Sequence, residues 1–423
     1  MRAVVIATML TAALGAAYAA ERFPPPEFTD HALPAPATPA ARAAWLDYAD
    51  AAALAVALGL ASWLAIKRRS RAGIVALMAA SLLYFGFWRS GCVCPVGATQ
   101  NVALAAFDAA YALPWTAAVF FFLPLLFALL FGRVFCAAVC PLGAAQDAVL
   151  VRPAAVPAWL QQGLGLLPYV YLGSAVLLAG LGGDFIICRY DPFVSFFRLS
   201  GSFEMLLLGA GVLGLSAFVG RPYCRFACPY SVLLRWASRL SAWHFRIAPD
   251  ECIQCRLCED SCPFGAIAKP TPSDAESRAA GKRRLARLLA LLPLLMIAGG
   301  ALGWAASGRI ARSNAVVRQA DLVLLEEQQP SAVPADEVTA FRKTARPAAE
   351  LYAEAARARD RYAVGGALLG ALLGLATGGR LIRLSVRRTR TDYEADRAEC
   401  VSCGRCLRFC PRERARLGKA SAT

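Results

Sequence analysis

The sequence is poor in histidine and in charged residues. Only two of its 423 residues are histidine, His31 and His244, and 17% are Asp, Glu, Lys or Arg. Two imidazoles are too few for most histidine-ligated metal chemistry, including the paired ligands that hold haem between membrane helices. The sequence also has no Walker motif, no other Gly-rich phosphate loop and no catalytic triad, which argues against a pump driven by ATP.

Apolar residues, cysteine and positive charge are abundant. Hydrophobic residues make up 58% of the chain, which also has 15 cysteines and a formal net charge of +16. This apolar content exceeds that of an ordinary soluble enzyme and predicts a multi-pass membrane protein. The cysteines make thiolate-bound metal the leading cofactor class. The positive charge fits either a nucleic-acid partner or Lys and Arg at the cytoplasmic ends of membrane spans.

Seven apolar segments have about the length that a bilayer core of about 30 Å requires. They cover residues 51–66, 73–88, 115–131, 163–181, 205–219, 285–304 and 364–381. The basic cluster at 67–71 marks a cytoplasmic end by the positive-inside rule, so the C-terminus is expected in the cytoplasm. Basic residues outnumber acids in both long cytoplasmic segments but hardly at 309–361, on the other side. The charge therefore reflects topology, and no nucleic-acid partner is expected.

The N-terminus predicts a secretory signal, with an uncleaved anchor as the alternative. An apolar run follows Met1-Arg2 and ends at Ala17-Tyr18-Ala19, a small-x-small pattern typical of signal cleavage. The Pro-rich stretch 22–39 therefore begins outside the cytoplasm, and its prolines prevent a long helix.

Two cysteine runs match the bacterial ferredoxin pattern, Cys252-x2-Cys255-x2-Cys258-x3-Cys262-Pro263 and Cys400-x2-Cys403-x2-Cys406-x3-Cys410-Pro411. In this pattern three thiolates cap three irons of one cubane, and the fourth binds the partner cluster. One 4Fe–4S cluster is thus predicted on Cys252, Cys255, Cys258 and Cys410, and a second on Cys400, Cys403, Cys406 and Cys262. The alternative of one self-contained cluster per run remains open. Structural zinc is disfavoured because zinc ribbons use two separated cysteine pairs.

The other seven cysteines lie in repeated Cys-Pro phrases at span ends. Gly132-Arg133-Val134-Phe135-Cys136-x3-Cys140-Pro141 is echoed by Gly220-Arg221-Pro222-Tyr223-Cys224-x3-Cys228-Pro229 at the cytoplasmic ends. A looser pair, Cys92-Val93-Cys94-Pro95 and Cys188-Arg189-Tyr190-Asp191-Pro192, falls on the outer side. The string Gly97-Ala98-Thr99 aligns with Gly143-Ala144-Ala145. A duplicated two-span unit is the simplest explanation.

The duplication predicts two further thiolate sites. The inner quartet is Cys136, Cys140, Cys224 and Cys228, where nearby Arg133, Arg221 and Arg225 favour the thiolate form that binds metal or a cluster. The outer trio is Cys92, Cys94 and Cys188. Two alternatives stay open: all seven are small buried packing residues, or Cys188 forms a disulfide, because the outer face is oxidising.

With these motifs the chain resembles the NosR/NapH-type membrane iron–sulfur proteins. The resemblance covers roughly residues 73–268 and 399–411. It implies a polytopic protein of the bacterial inner membrane that passes electrons between the cytoplasmic or quinone side and periplasmic reductases of anaerobic respiration, or supports their maturation. Three departures stand out: Cys92-x-Cys94 lacks the x3 spacing, residues 21–45 are too short for a periplasmic flavin domain, and two spans separate the ferredoxin runs.

The expected fold class is membrane all-α, with about seven transmembrane helices, an internal two-span repeat and a small α+β two-cluster ferredoxin-like domain on the cytoplasmic side. The expected segments are a signal peptide or anchor (1–19), a periplasmic Pro-rich segment (20–47), a transmembrane domain with the Cys-Pro motifs (48–245), the first ferredoxin half (246–284), a transmembrane helix (285–306), a periplasmic helical segment (307–362), a transmembrane helix (363–383) and the second ferredoxin half (384–423).

The main functional hypothesis is electron transfer by an inner-membrane component rather than by a stand-alone catalyst. The expected partners are the lipid bilayer, a cytoplasmic electron donor or a quinone, and a periplasmic redox protein. About 30 Å of hydrocarbon is expected between the inner quartet and the outer trio, which would require an intermediate cofactor or partner. The competing hypothesis is copper handling or maturation of a periplasmic metalloenzyme, because Cys92-x-Cys94 suits a soft metal such as Cu(I).

Overall fold

The computed structural model describes residues 42–91, 94–198, 200–247, 252–271, 278–329, 335–344, 346–386 and 390–421. The architecture below is that of the unit Trp45–Thr423. Helices dominate it, and within the described ranges the strands are two short ones, β1 (Ile267–Ala268) and β2 (Glu394–Ala395). The mostly helical fold expected from the sequence is therefore confirmed.

The helices of the membrane part are numbered in chain order. They are α1 (Ala44–Ser62), α2 (Arg71–Ser81), α3 (Pro95–Phe107), α4 (Trp115–Phe131), α5 (Pro141–Ala148), α6 (Ala158–Leu164), α7 (Leu167–Gly180), α8 (Ile186–Tyr190), α9 (Pro192–Arg198), α10 (Phe203–Ser216), α11 (Pro222–Phe226) and α12 (Tyr230–Arg239). Three π-helical turns, Trp63–Lys67, Leu82–Trp88 and Phe135–Val139, accompany them.

The second half of the chain contributes seven more helices. They are α13 (Leu257–Asp260), α14 (Arg278–Ala311), α15 (Ala315–Gln328), α16 (Ala335–Lys343), α17 (Ala348–Ser385), α18 (Arg405–Phe409) and α19 (Pro411–Ser421). Helices α14 and α17 form the longest pair, and α15 packs its buried Val317 and Val323 into a small core with Leu351 of α17.

Five helical segments of the described chain are long and apolar enough to cross a membrane. They are Ala44–Lys67, Arg71–Trp88, Trp159–Gly180, Ala280–Ala311 and Ala348–Ser385. Helices α9 and α10, which meet at 103°, make a sixth if the bent pair is one span. Helix α4 is shorter, since Gly132 at φ 75° ends it after 17 residues. The protein is thus a multi-pass membrane protein, but a count of seven spans is not confirmed.

Helices α14 and α17 approach each other through glycine. A Cβ atom added to Gly303 would collide with the backbone oxygen of Gly366, and one added to Gly370 with that of Gly299. Small residues at every fourth position allow such backbone contact between membrane helices, which buries no large side chain but gains van der Waals packing. This hairpin joins the two ferredoxin runs along the chain.

The two ferredoxin runs come together despite their distance in sequence. Strands β1 and β2 pair antiparallel, with Ile267 opposite Ala395, and the Asp396 amide donates to the Ala266 carbonyl at 2.9 Å. Phe245, Tyr393 and Leu407 are buried between the runs. One small domain therefore forms from both halves.

This domain shares a hydrophobic core with the membrane helices. Val401 and Cys403 from the second run are buried in the same cluster as Leu58 of α1, Ile74 of α2 and Cys136. A shared core fixes the position of the second run against the quartet-bearing helices.

Candidate functional site

The two ferredoxin runs adopt the same loop conformation. Gln254 and Arg256 in the first run have positive φ values of 52° and 65°, and Ser402 and Gly404 at the equivalent positions have 54° and 71°. Left-handed backbone is costly for residues other than glycine and tends to persist where surrounding structure demands it. Each loop then leads into a short helix, α13 or α18, that carries the third cysteine.

The structure brings the fourth cysteine of each run to the other run. Cys258 has both Cys252 and Cys410 as electrostatic neighbours. Cys400 has Cys403 and Cys262. Cysteines of both runs thus lie close together, and the crossed assignment of ligands stays a prediction.

The donor set of the ferredoxin runs suits thiolate-bound metal. All eight cysteines are free thiols, and burial raises the pKa of Cys400 to about 12 and that of Cys258 to about 11. Thiols with such pKa values keep their protons at neutral pH. A metal centre that takes the place of these protons would relieve the cost of burying thiolate charge. The residues present therefore fit iron–sulfur clusters.

The inner quartet also assembles. Cys136 lies in the π-helical turn Phe135–Val139, Cys140 directly follows it, and Cys224 and Cys228 lie on and just after α11. Cys140 has each of the other three as an electrostatic neighbour. All four are free thiols, and Cys136, Cys140 and Cys228 are buried. π-Helical turns occur often at functional sites, where they re-aim side chains.

Two buried arginines border the quartet. Arg221, 2% exposed, places its Nη2 2.9 Å and its Nε 3.2 Å from the carboxylate oxygens of Asp147, and it donates to the Cys136 carbonyl. Arg133 places its Nη2 3.8 Å from the Cys136 sulfur. Buried cations of this kind compensate anionic thiolates in a medium with little water.

Gln146 and Asp147 belong to this site although sequence reasoning missed them. The Gln146 Nε2 donates to the Cys224 sulfur at 3.2 Å, and its Oε1 accepts from the Tyr223 amide at 3.0 Å. One signal was available: Gln146 and Gln100 occupy the same place in two aligned Cys-Pro phrases. Asp147 gave none, because its partner Arg221 is distant in sequence.

The outer trio is only partly described, since Cys92 lies outside the described residues. Cys94 is the residue before α3, and Cys188 is on α8. Cys94 is a free thiol with Cys188 as an electrostatic neighbour, so these two form no disulfide with each other. A disulfide between Cys188 and Cys92 stays an open alternative.

The expected separation of the inner and outer cysteines is wrong. Cys94 is an electrostatic neighbour of Cys228, and Tyr223 has both Cys228 and Cys94 as electrostatic neighbours. The expectation treated the spans as straight crossings of the bilayer. Instead, Cys94 packs against the hydrophobic core that contains Cys136, Cys140 and Cys228.

The arrangement of the cysteines can also be compared with the geometry that a single metal ion requires. Among the described residues, no group of three or more His, Cys, Asp or Glu side chains is arranged to hold one metal ion. Ligands of a cubane each bind a different iron and so stand farther apart than the ligands of a single ion. A cluster therefore does not require the close convergence of ligands that a single ion requires.

Comparison with known proteins gives the same chemistry. Residues 113–166 and 202–248 match a family model described as a 4Fe-4S binding domain, and residues 245–268 match a second model of that description. The chain carries 4Fe–4S binding domains. The first model covers both Cys-x3-Cys-Pro phrases of the inner quartet, and the second covers the first ferredoxin run.

Similar proteins support the resemblance to membrane iron–sulfur electron-transfer proteins. Protein NirI of Paracoccus denitrificans is 32% identical over 152 residues, 33% of this chain and 22% of its own. YccM of Escherichia coli, which is named for electron transport, is 27% identical over 152 residues, 32% of this chain and 42% of its own. An uncharacterized protein of Methanocaldococcus jannaschii is 28% identical over 145 residues, 32% of this chain and 60% of its own.

The chain spans less than two thirds of the length of each of these relatives. No solved structure matches it. The comparisons therefore show 4Fe–4S binding domains and leave the activity and the partners to be proposed.

Proposed function

We propose that this protein is a membrane electron-transfer component in which two ferredoxin-type clusters continue into a further iron–sulfur centre on the inner quartet. The observation that carries the proposal is the position of Arg133. Its Nη2 lies 3.8 Å from the Cys136 sulfur, and its Nη1 donates at 3.2 Å to the carbonyl of Ala398, two residues before Cys400. One buried side chain thus links the two cysteine sets.

Other contacts support the same junction. Arg71 donates to the Cys403 carbonyl at 2.9 Å and lies 3.6 Å from Asp147, which also holds Arg221. One pocket is lined by Cys136 and Cys224 of the quartet together with Phe264 and Val401, which belong to the two ferredoxin runs. The quartet and both runs therefore border the same space.

The chain's residues would set the properties of these centres. When bound, the clusters supply one-electron redox chemistry. The protein holds them with Cys252, Cys255, Cys258 and Cys410 in one set, with Cys400, Cys403, Cys406 and Cys262 in another, and with the inner quartet in a third. Hydrogen bonds to sulfur, such as that from Gln146 to Cys224, and burial tune cluster potentials.

An apolar cavity supports a quinone as one partner. The cavity, about 580 Å³, lies between α7 and α17 and is lined by Leu172, Val176 and Leu372. Its polar end has Arg235, Arg380 and Glu399, and Glu399 directly precedes the predicted ligand Cys400. A long apolar tail with a polar ring fits that lining, with the ring beside the second cluster.

The remaining expectations complete the proposal. The protein sits in the bacterial inner membrane with both ferredoxin runs and the C-terminus in the cytoplasm, and a cytoplasmic donor or the quinone exchanges electrons with a periplasmic redox partner. The segment boundaries given above stay predictions. The copper-handling alternative depends on Cys92, outside the described residues, and gains no support from the described ones.

Iron content and EPR of the anaerobically purified full chain test the proposal. We expect iron and sulfide beyond two cubanes, and loss of one centre in Cys140→Ser while the ferredoxin signals remain. Cys410→Ser should remove the signal of the cluster that holds Cys252, as the crossed assignment requires. Iron that stops at two cubanes in the wild-type chain would contradict the third centre.

Serine substitution of an alanine at the same site provides the matched control. Ala138 is buried two residues from both Cys136 and Cys140, and its change to Ser introduces the same hydroxyl without removing a thiol. Ala138→Ser should retain the wild-type iron content. Equal iron loss in Ala138→Ser and Cys140→Ser would show that disturbed packing, rather than a lost ligand, empties the site.

A further inference from the structure

We propose that Asp191, together with Cys94 and Cys188, ligates a separate iron–sulfur centre, in which the Asp191 carboxylate takes the place that Cys228 has in the inner quartet. The pocket that these three side chains line is called the aspartate pocket. The proposal rests on the proposed function, because it is argued by analogy with the inner quartet; the two pockets have different residues, so variants of each can be tested separately.

The first support is a shared local structure. Cys94-Pro95-Val96-Gly97-Ala98-Thr99-Gln100 parallels Cys140-Pro141-Leu142-Gly143-Ala144-Ala145-Gln146. In both phrases the cysteine precedes a helix that begins at the proline, α3 in one and α5 in the other. The Ala98 amide donates to the Cys94 carbonyl at 3.0 Å, and the Ala144 amide donates to the Cys140 carbonyl at 3.0 Å. Both cysteines therefore hold the same position at the start of their helix.

The second support is a pair of glutamines with the same role. The Gln100 Oε1 accepts from the Ile187 amide at 2.9 Å, and the Gln146 Oε1 accepts from the Tyr223 amide at 3.0 Å. Ile187 directly precedes Cys188, and Tyr223 directly precedes Cys224. Each glutamine thus fixes a short helix that carries the next cysteine, α8 in the aspartate pocket and α11 in the inner quartet.

An unpartnered donor marks where the two pockets differ. The Gln146 Nε2 donates to the Cys224 sulfur at 3.2 Å. The equivalent Gln100 Nε2 is fully buried and has no hydrogen-bond partner among the described residues. Buried donors are nearly always satisfied in folded proteins. By analogy with Gln146, the acceptor that the Gln100 Nε2 lacks is a sulfur atom, either one within the bound centre or that of Cys188 as a ligand of the centre.

Asp191 occupies the position of Cys228. Asp191-Pro192 leads into α9 as Cys228-Pro229 leads into α12, and the spacing from the preceding cysteine is one residue shorter. A carboxylate oxygen stands one bond farther from the backbone than a cysteine sulfur. The longer side chain therefore compensates for the shorter spacing, and both can reach the same point in their pockets.

The surroundings of Asp191 also call for a cation. The residue is 5% exposed, and its Oδ1 accepts from the Phe193 amide at 2.9 Å. Within the described ranges, no basic side chain forms an ion pair with it. A buried carboxylate that lacks a counter-charge is strongly disfavoured. Asp191 lines a cavity of about 210 Å³ together with Cys94 and Cys188. Among the charged groups near Cys94, Asp191 has the largest electrostatic effect on it.

In a cluster with several irons each ligand binds a different iron. Cys94, Cys188 and Asp191 line one cavity of about 210 Å³, and as ligands of a cluster they need not meet at one point. Exchange of a thiolate for another ligand type changes a cluster's potential. The aspartate pocket would thus hold a centre whose potential differs from that of the inner quartet.

Substitution of Asp191 tests the proposal on the anaerobically purified full chain. Asp191→Ala should lower the iron content by one centre and remove one EPR component, with the ferredoxin signals retained as the check on folding. Asp191→Cys should keep the iron content and shift the midpoint potential of one centre. Asp184→Asn is the matched control, since Asp184 is half exposed and pairs with Arg189 nearby, and it should behave as wild type.

Each outcome decides the matter. Wild-type iron and EPR in Asp191→Ala would overturn the assignment, and so would an unshifted potential in Asp191→Cys, the variant that remains informative if the alanine protein does not fold. Loss of a centre in Cys140→Ser but none in Asp191→Ala would support the proposed function while rejecting the aspartate pocket. The reverse pattern would do the opposite.

Discussion

The ferredoxin loops and the inner quartet hold their cysteines by different means. In the loops the backbone does the shaping, with positive φ at the same two positions of each run, and Cys255 is exposed. Around the quartet, side-chain charges surround buried sulfurs, with Arg133 and Arg221 at 3% and 2% exposure. Water can reach the first run at Cys255, whereas the quartet and the buried Cys403 and Cys406 of the second run lie where charges must be supplied by the protein.

Removal of Arg221 should have the largest effect, because it removes a buried charge next to the inner quartet. Arg221→Leu leaves Asp147 buried without its closest cation, and loss of one member of a buried pair costs about 3–5 kcal/mol. We expect a large drop in thermal stability of the detergent-purified protein. Arg189→Leu is the control: its pair with Asp184 is exposed and should contribute about 0–1 kcal/mol. Equal losses in both variants would refute the role of the buried charge.

A bulky residue at the glycine contact between α14 and α17 should instead affect the ferredoxin clusters. Gly370→Leu forces α14 and α17 apart, at a cost of about 1–3 kcal/mol from overpacking. Because this hairpin joins the two runs, we expect weakened ferredoxin EPR signals and a retained quartet signal. Gly308→Leu on α14, where nothing lies within 4 Å of an added Cβ, should leave both unchanged. Equal loss of both signals in Gly370→Leu would contradict the division into two regions.

The loop conformation can be probed at Gly404. Gly404→Ala places a Cβ on a residue with φ of 71°, which costs about 1–2 kcal/mol in left-handed backbone. Ile74, 3.4 Å from the added atom, is in ordinary contact, so strain rather than collision dominates. Faster loss of ferredoxin absorbance in denaturant would report the effect. Gly379→Ala, in open space within α17, should cause no such loss.

His244 gives the smallest expected effect, at the edge of the ferredoxin domain. Burial, reinforced by Arg397 and Arg246, lowers the pKa of His244 to about 4. The unfolded chain binds the proton near pH 6.5, so stability is lost as pH falls from about 6.5 toward 4. His244→Gln should weaken that pH dependence in thermal melts. A wild-type pH profile in the variant would show that another group is responsible.

The ferredoxin cysteines could be predicted from sequence because their ligation pattern is local. A 2-2-3 spacing fixes the loop, and the proline after the fourth cysteine signals the crossing. Five of the seven predicted spans likewise follow from apolar length, and they coincide with the five segments long enough to cross a membrane. Residues 205–219 do not, because α10 has 14 residues and meets α9 at a bend that no sequence period reveals.

The surroundings of the membrane cysteines were harder to foresee. Asp147 meets Arg221 only through tertiary packing, and hydropathy gives no hint that a buried ion pair exists there. The distance between inner and outer cysteines was misjudged for the same reason, since it depends on how the helices pack in the core. Gln100 and Gln146 were visible as a repeat, but their function emerges only from the amides that they accept.

Magnetic coupling between the second ferredoxin cluster and the inner quartet tests the central claim most directly. EPR of the fully reduced, anaerobically purified chain should show signals broadened by a neighbouring paramagnetic centre, because Arg133 bridges Cys136 and the segment before Cys400. In Cys140→Ser the ferredoxin signal should sharpen while its iron is retained. Identical ferredoxin line shapes in the wild-type and Cys140→Ser proteins would contradict a continuous path.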